Sequence, residues 1–255
     1  MKSAKEHYET HLAPVYEWMV GGGVAAVAQG DSEIEALGLP VHRGDAVLDL
    51  GAGLGIHAIP LARRGARVTA VDSSSALLNR LRGLSGQLPI HVVPADLIEF
   101  LRADVHEYAT ILCMGDTLTH LDSPQATEDL LRLAYQRLAA GGTLILTFRD
   151  YARELRNENR FIPVRSDHER ILTCFLEYER SFVAVHDLLH EKTDGGWQMR
   201  VSTYRKQRLD PQHLTATLKR IGFNARQESG MAGFVRLVAQ KPSSAQNNLE
   251  KVSPA

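Results

Sequence analysis

The chain has almost no cysteine. Cys113 and Cys174 are the whole supply among 255 residues, too few for a disulfide framework or a paired-cysteine zinc motif. It has no apolar run of the ~20 residues that a membrane-spanning helix needs. The opening "MKSAKEHYETHLAPVYEW" is too polar to read as a secretory leader. Charge of one sign is missing as well, since 29 Lys and Arg against 30 Asp and Glu leave −1. Such a balance gives no long-range field to gather nucleic acid or anionic lipid. These absences predict a cytoplasmic protein with neither nucleic-acid nor membrane partners. What is present is an ordinary globular composition, 44% hydrophobic and 23% charged, in a chain long enough to bury one sizeable core.

From about Asp45 to Arg149, short β-rich runs alternate with helical stretches. "AVLDL" (46–50), "RVTAVD" (67–72), "IHVVPAD" (90–96), "ATILCM" (109–114) and "TLILTFRD" (143–150) are the strand candidates. Their continuous apolar character fits strands covered on both faces. The alternation predicts an α/β fold, a doubly wound, mostly parallel Rossmann-like sheet with ligands outside the carboxyl ends of its strands. After Asp150 the pattern changes. "RILTCFLEYER", "SFVAVHDLLHEK" and "WQMRVSTYRKQRL" read as successive strands, the last two parted by the turn "TDGG" at 193–196. An antiparallel insert over 151–209 is therefore expected before a last helix, capped by Asp210 with Pro211 behind it, and a last strand. The core spans 41–150 and ends in 210–242; the polar tail 243–255 is expected to be disordered.

The chemistry concentrates in "AVLDLGAGLGIHAIP" (46–60). Gly51, Gly53 and Gly55 let the backbone turn tightly and approach a ligand, and the helix that follows offers unpaired N–H groups. A dinucleotide fingerprint would carry glycine at the sixth place, where this chain has Ile56. Asp49 at the strand end would repel a pyrophosphate and attract a cation. Asp72, at the end of the second strand, suits a ribose held through both hydroxyls. Asp96, at the end of the third, suits an exocyclic amine.

"VLDLGAGLG", "VTAVDSS", "VVPADL" and "LAAGGTLIL", in that order, resemble the motifs of class I S-adenosylmethionine-dependent methyltransferases. The resemblance implies S-adenosyl-L-methionine as cofactor. Asp49, Gly51, Gly53 and Gly55 would line its methionine end, and Asp72 with Ser73 its ribose. Asp96 and Leu97 would flank its adenine, and the backbone around Met114 would meet its amino group.

A narrower resemblance follows. "CMGDTLTHL" with "GGTLILTFRDY" is similar to the corresponding region of glycine and glycine/sarcosine N-methyltransferases. "APVYEWMVGG" is similar to their lid segment, which implies a helical lid over 1–40 with Tyr16 against the cofactor. The resemblance implies a small-molecule acceptor, an amine or an amino acid. Arg149 would clamp a carboxylate, Tyr151 and Tyr204 would wall the pocket, and His120 would touch substrate. Gly115 and Asp116 would sit near the accepting atom. Asp116 stands where that family's loop has Asn, and an acid there is a candidate general base. Transfer to a carboxylate or hydroxyl oxygen, or a cofactor binder without turnover, are the alternative readings.

Overall fold

The computed structural model describes residues 3–243. Five parallel strands form the centre: β1 (Ala46–Leu50), β2 (Arg67–Asp72), β3 (Ile90–Pro94), β4 (Tyr108–Cys113) and β5 (Leu138–Phe148). Two more, β10 (Asn224–Ser229) and β11 (Val235–Gln240), complete a seven-stranded sheet of order β10-β11-β5-β4-β1-β2-β3. Only β11 runs against its neighbours, pairing antiparallel with both β5 and β10. Strand order reverses between β1 and β4, which puts the switch-point crevice beside the glycine loop that leaves β1.

Leu48, Leu50, Ile111, Leu112, Leu144, Ile145 and Leu146 are completely buried, because helices cover both faces of the sheet. Each such side chain contributes about 1.5–3 kcal/mol by leaving water. The helices start where side-chain acceptors meet free N–H groups. Ser74 caps α5 (Ser75–Ser85), Asp96 caps α6 (Leu97–Ala103), Ser123 caps α7 (Pro124–Arg137) and Asp210 caps α8 (Pro211–Ile221). Helix α4 (Ala58–Arg63) follows the glycine loop, and α3 (Gly23–Leu37) lies against it.

The segment between β5 and α8 holds a second sheet, antiparallel throughout: β6 (Phe161–Ser166), β7 (Arg170–Tyr178), β8 (Phe182–Thr193) and β9 (Gly196–Gln207). The N-terminal residues form α1 (Ala4–His7), one π-helical turn over Tyr8–Leu12 and α2 (Ala13–Met19). This helical segment packs on the second sheet, Leu12 and Val15 meeting Leu172 and Leu189.

Three elements differ from the sequence reading. Strand β5 begins at Leu138, five residues early, because Leu138 already has extended backbone and pairs with Tyr108 before a register shift. Strands β6 and β10 were not expected. Both are edge strands with mostly exposed residues, so neither carries the alternation that marks a half-buried strand. The expected disorder of the tail concerns residues that, from 244 on, lie outside the described ones.

Candidate functional site

A cleft of about 550 Å³ opens at the carboxyl ends of β1, β2 and β3, lined by Tyr8, Tyr16, Gly51, Gly53, Asp72, Ser73, Asp96, Leu97, Thr117 and His120 among others. Gly51 has φ +79°, and a Cβ there would overlap the Thr117 side chain. Only glycine fits this approach. Asp72 fixes the loop in its turn: Oδ2 accepts from the Gly53 amide and Oδ1 from the Ser74 amide, both at 2.8 Å. Burial raises the Asp72 pKa against the pull of these two amides. Gly55 is not in the cleft wall; a Cβ there would press on Leu81 and Ile59, so its role is close packing of the loop. Asp96 spends Oδ1 on capping α6, accepting from Ile98 and Glu99 at 2.9 and 3.0 Å, with Oδ2 outside those bonds.

Asp49, in β1 two residues before Gly51, is 1% exposed, with Oδ2 lacking any partner. Burial pushes its carboxyl up to about 6, although the nearby His57 works the other way. An unpaired buried oxygen is costly unless something cationic meets it. This orphan, with the glycine turn and Asp72, fits a cationic donor better than a phosphate chain. A second, smaller cavity of about 330 Å³ is lined by Glu33, His57, Met114, Gly115, Thr147 and Phe234 among others. Met114 itself is 7% exposed.

Between Gly115, which lines one cavity, and Thr117, which lines the other, stands Asp116. Its Oδ1 accepts from the Arg149 amide at 2.9 Å. Its Oδ2 accepts from Lys206 Nζ at 2.7 Å, from the Tyr151 hydroxyl at 3.2 Å and from the Arg149 guanidinium. Burial alone would raise the Asp116 pKa, but Lys206 and then Arg149 outweigh it and hold the carboxyl well below the usual range. A carboxylate so placed is a counter-ion. The geometry speaks against the expected proton-accepting role, because protonation would strand two cations and their donors.

His120 also lines the cleft. Its Nε2 is 3.4 Å from the Tyr8 hydroxyl and its Nδ1 has no partner. Burial, then Lys206, pull its pKa down to about 3, so the ring is neutral. Tyr204 is sandwiched between His7, stacked at 3.9 Å, and His120 at 5.6 Å. It therefore braces His120 from behind. Tyr16 reaches the cleft from α2, and burial with Asp72 beside it pushes its phenol up to about 12.

The structure thus brings Tyr16, Gly51, Gly53, Asp72, Ser73, Asp96, Leu97 and His120 to one cleft. It gathers Asp116, Arg149 and Tyr151 in one polar cluster, sets Met114 beside the second cavity, and leaves Asp49, Gly55 and Tyr204 behind the walls. Lys206 and Tyr8 were missed. Lys206 carried a signal: Ser202, Tyr204 and Lys206 alternate on one face of β9, and all three are buried. A lysine on the inward face of a strand demands an acid.

Residues 47–142 match a methyltransferase domain family. A glycine/sarcosine N-methyltransferase of Parasynechococcus marenigrum (strain WH8102) is 29% identical over 154 residues, 59% of this chain and 54% of that protein. A glycine/sarcosine/dimethylglycine N-methyltransferase of Actinopolyspora halophila is 36% identical over 112 residues, 42% of this chain and 20% of that protein. The chain therefore spans about half the length of the first relative and a fifth of the second. Among solved structures, the CcbJ methyltransferase from Streptomyces caelestis superposes with a TM-score of 0.74 at 21% identity, over 92% of this chain and 98% of that one. That likeness concerns the fold. Residues 47–142 thus match a methyltransferase domain, and the glycine turn and sheet order give the chain the fold of the class I S-adenosylmethionine-dependent methyltransferases that it resembles.

Proposed function

We propose that the protein transfers a methyl group to the nitrogen of a small amine or amino-acid-like acceptor. The observation that carries this reading is the order of the cleft lining: Gly51 and Gly53, then Asp72, then Asp96 with Leu97, at the ends of three adjacent strands. N-directed chemistry is supported by the relatives, which are named for methylating glycine and sarcosine nitrogen.

In this reading Asp72 and Ser73 hold the ribose of S-adenosylmethionine, Asp96 and Leu97 its adenine, and the backbone of Gly51 and Met114 its methionine end. Asp49 supplies the negative charge beneath. When bound, the cofactor supplies an electrophilic methyl on a sulfonium sulfur. The protein's part is then alignment and exclusion of water, and orienting two reactants can supply about 7–11 kcal/mol of the barrier. Tyr8, Tyr16 and the helical segment that carries them close the cleft.

Arg149 is half exposed, and its guanidinium lies 4.5 Å from the Phe234 ring while bound to Asp116. Its planar fork and half exposure support the reading that it receives an acceptor carboxylate. An amine must reach the site with its lone pair free. Asp116 is too acidic to take the proton and Lys206 is held charged, its pKa raised by Asp116 against the burial that lowers it. The acceptor therefore loses its proton to solvent before it is bound.

The test is formation of S-adenosylhomocysteine by the full chain with a panel of small amines, amino acids, carboxylic acids and phenols. Turnover with amines or amino acids is expected. Turnover confined to the acids and phenols would replace this reading by O-methylation, and none at all would leave a binder.

A further inference from the structure

Deepening the reading above, on which it rests, we propose that Lys206 is a specificity-determining residue: paired with Asp116, it leaves the acceptor pocket with one surplus positive charge, which selects an acceptor bearing a carboxylate.

Asp116 stands where the loop of the resembling family has neutral Asn. A carboxylate there, facing Arg149 alone, would cancel the guanidinium and leave nothing to attract an anion. Lys206 changes that sum. Its side chain is 7% exposed, as is that of Asp116, and Nζ also lies 3.3 Å from the Tyr151 hydroxyl. Two cations now share one anion. Another buried carboxylate on the second sheet, Asp187, has its own donors in His7 and Cys174.

The surplus is available at one place. Lys206 is enclosed, within 6 Å of the Tyr151 and Tyr204 rings. Arg149, held at the same carboxylate, keeps half of its side chain in contact with solvent. Lys206 therefore takes up the charge of Asp116 from inside, and Arg149 is left to act outward. Where the acceptor itself covers Arg149 from solvent, a single charge there discriminates between a carboxylate and its neutral amide. The same surplus disfavours an ammonium, in keeping with an acceptor bound as the free amine.

The test compares isosteric pairs: sarcosine with sarcosinamide, propionate with propionamide, and phenylacetate with phenylacetamide. Each is titrated calorimetrically into the full chain loaded with S-adenosylhomocysteine, and the readout is the affinity ratio of carboxylate to carboxamide. That ratio is insensitive to any unfolded fraction and independent of turnover, so it stands apart from the assay of the proposed activity. In the wild type at least one pair should show a ratio of about tenfold or more. Lys206→Gln brings the pocket's sum to zero, and the ratio should fall close to one. Asp116→Asn combined with Lys206→Gln restores a sum of +1, and the ratio should return to within about threefold of the wild type. A wild-type ratio near one for every pair, no carboxylate bound, or an unchanged ratio in Lys206→Gln would each overturn the proposal. So would a double variant that stays at the level of the single one.

Discussion

His7 Nε2 lies 2.9 Å from Asp187 Oδ2, across 180 positions of the chain, while its Nδ1 meets Ser202 Oγ at 2.8 Å. Both side chains are buried, at 0% and 3% exposure, and the imidazole stacks on Tyr204 at 3.9 Å. One residue later stands Tyr8, which lines the cleft. The pair thus pins the N-terminal segment to the second sheet at the point where that segment covers the site.

His7→Ala removes one partner and leaves Asp187 buried with Cys174 alone. Leaving a buried acceptor short of its donor costs about 1–3 kcal/mol. The cost should fall first on the docking of the N-terminal segment. Hydrogen exchange across residues 8–19 should speed up markedly while β1, β4 and β5 stay protected. Uniform acceleration over the whole chain would mean that the pair supports the global fold instead.

The Asp49 carboxyl, pushed up to about 6 by burial, makes cofactor binding sensitive to pH. A cationic ligand favours the ionised form, so protonation competes with it. Affinity for S-adenosylmethionine should therefore rise as pH climbs through about 6 and level off above about 7. For the free protein the sign is opposite: a raised carboxyl stabilises the fold most below about pH 4, and that contribution is lost as pH rises through about 6. Asp49→Asn should flatten the binding profile and weaken binding about tenfold or more. An unchanged profile in the variant would remove Asp49 from this role.

Gly51→Ala places a Cβ against Thr117 on a backbone at φ +79°. The left-handed conformation alone costs about 1–2 kcal/mol for a residue with a Cβ, and the overlap adds to it. Cofactor affinity should drop well before the core strands lose stability, as read by calorimetry beside a thermal melt. The same change at Gly53, where the nearest atom to a new Cβ is 4.0 Å away, should be milder.

The five parallel strands were legible because short, largely apolar runs alternate along the chain with helical stretches. Asp72, Asp96 and the glycines were legible because a crevice at strand ends leaves its residues in sequence order. The polar cluster was only half visible. Asp116 and Arg149 follow strands β4 and β5 closely enough to be found there, whereas Lys206 arrives from a different sheet, 90 residues beyond Asp116. Without it, Asp116 reads as a free acid and hence as a base. With it, the same carboxylate becomes a counter-ion. His7 and Tyr8 were hidden for a related reason, since a short helical turn carries little pattern until its partners on β8 and β9 are known.

Titration calorimetry of S-adenosylmethionine against the wild-type chain and Asp72→Ala tests the central claim most directly. One site per chain in the micromolar range is expected for the wild type, with a loss of about tenfold or more in the variant. No heat with S-adenosylmethionine or S-adenosylhomocysteine, alongside tight binding of a nicotinamide dinucleotide, would contradict it.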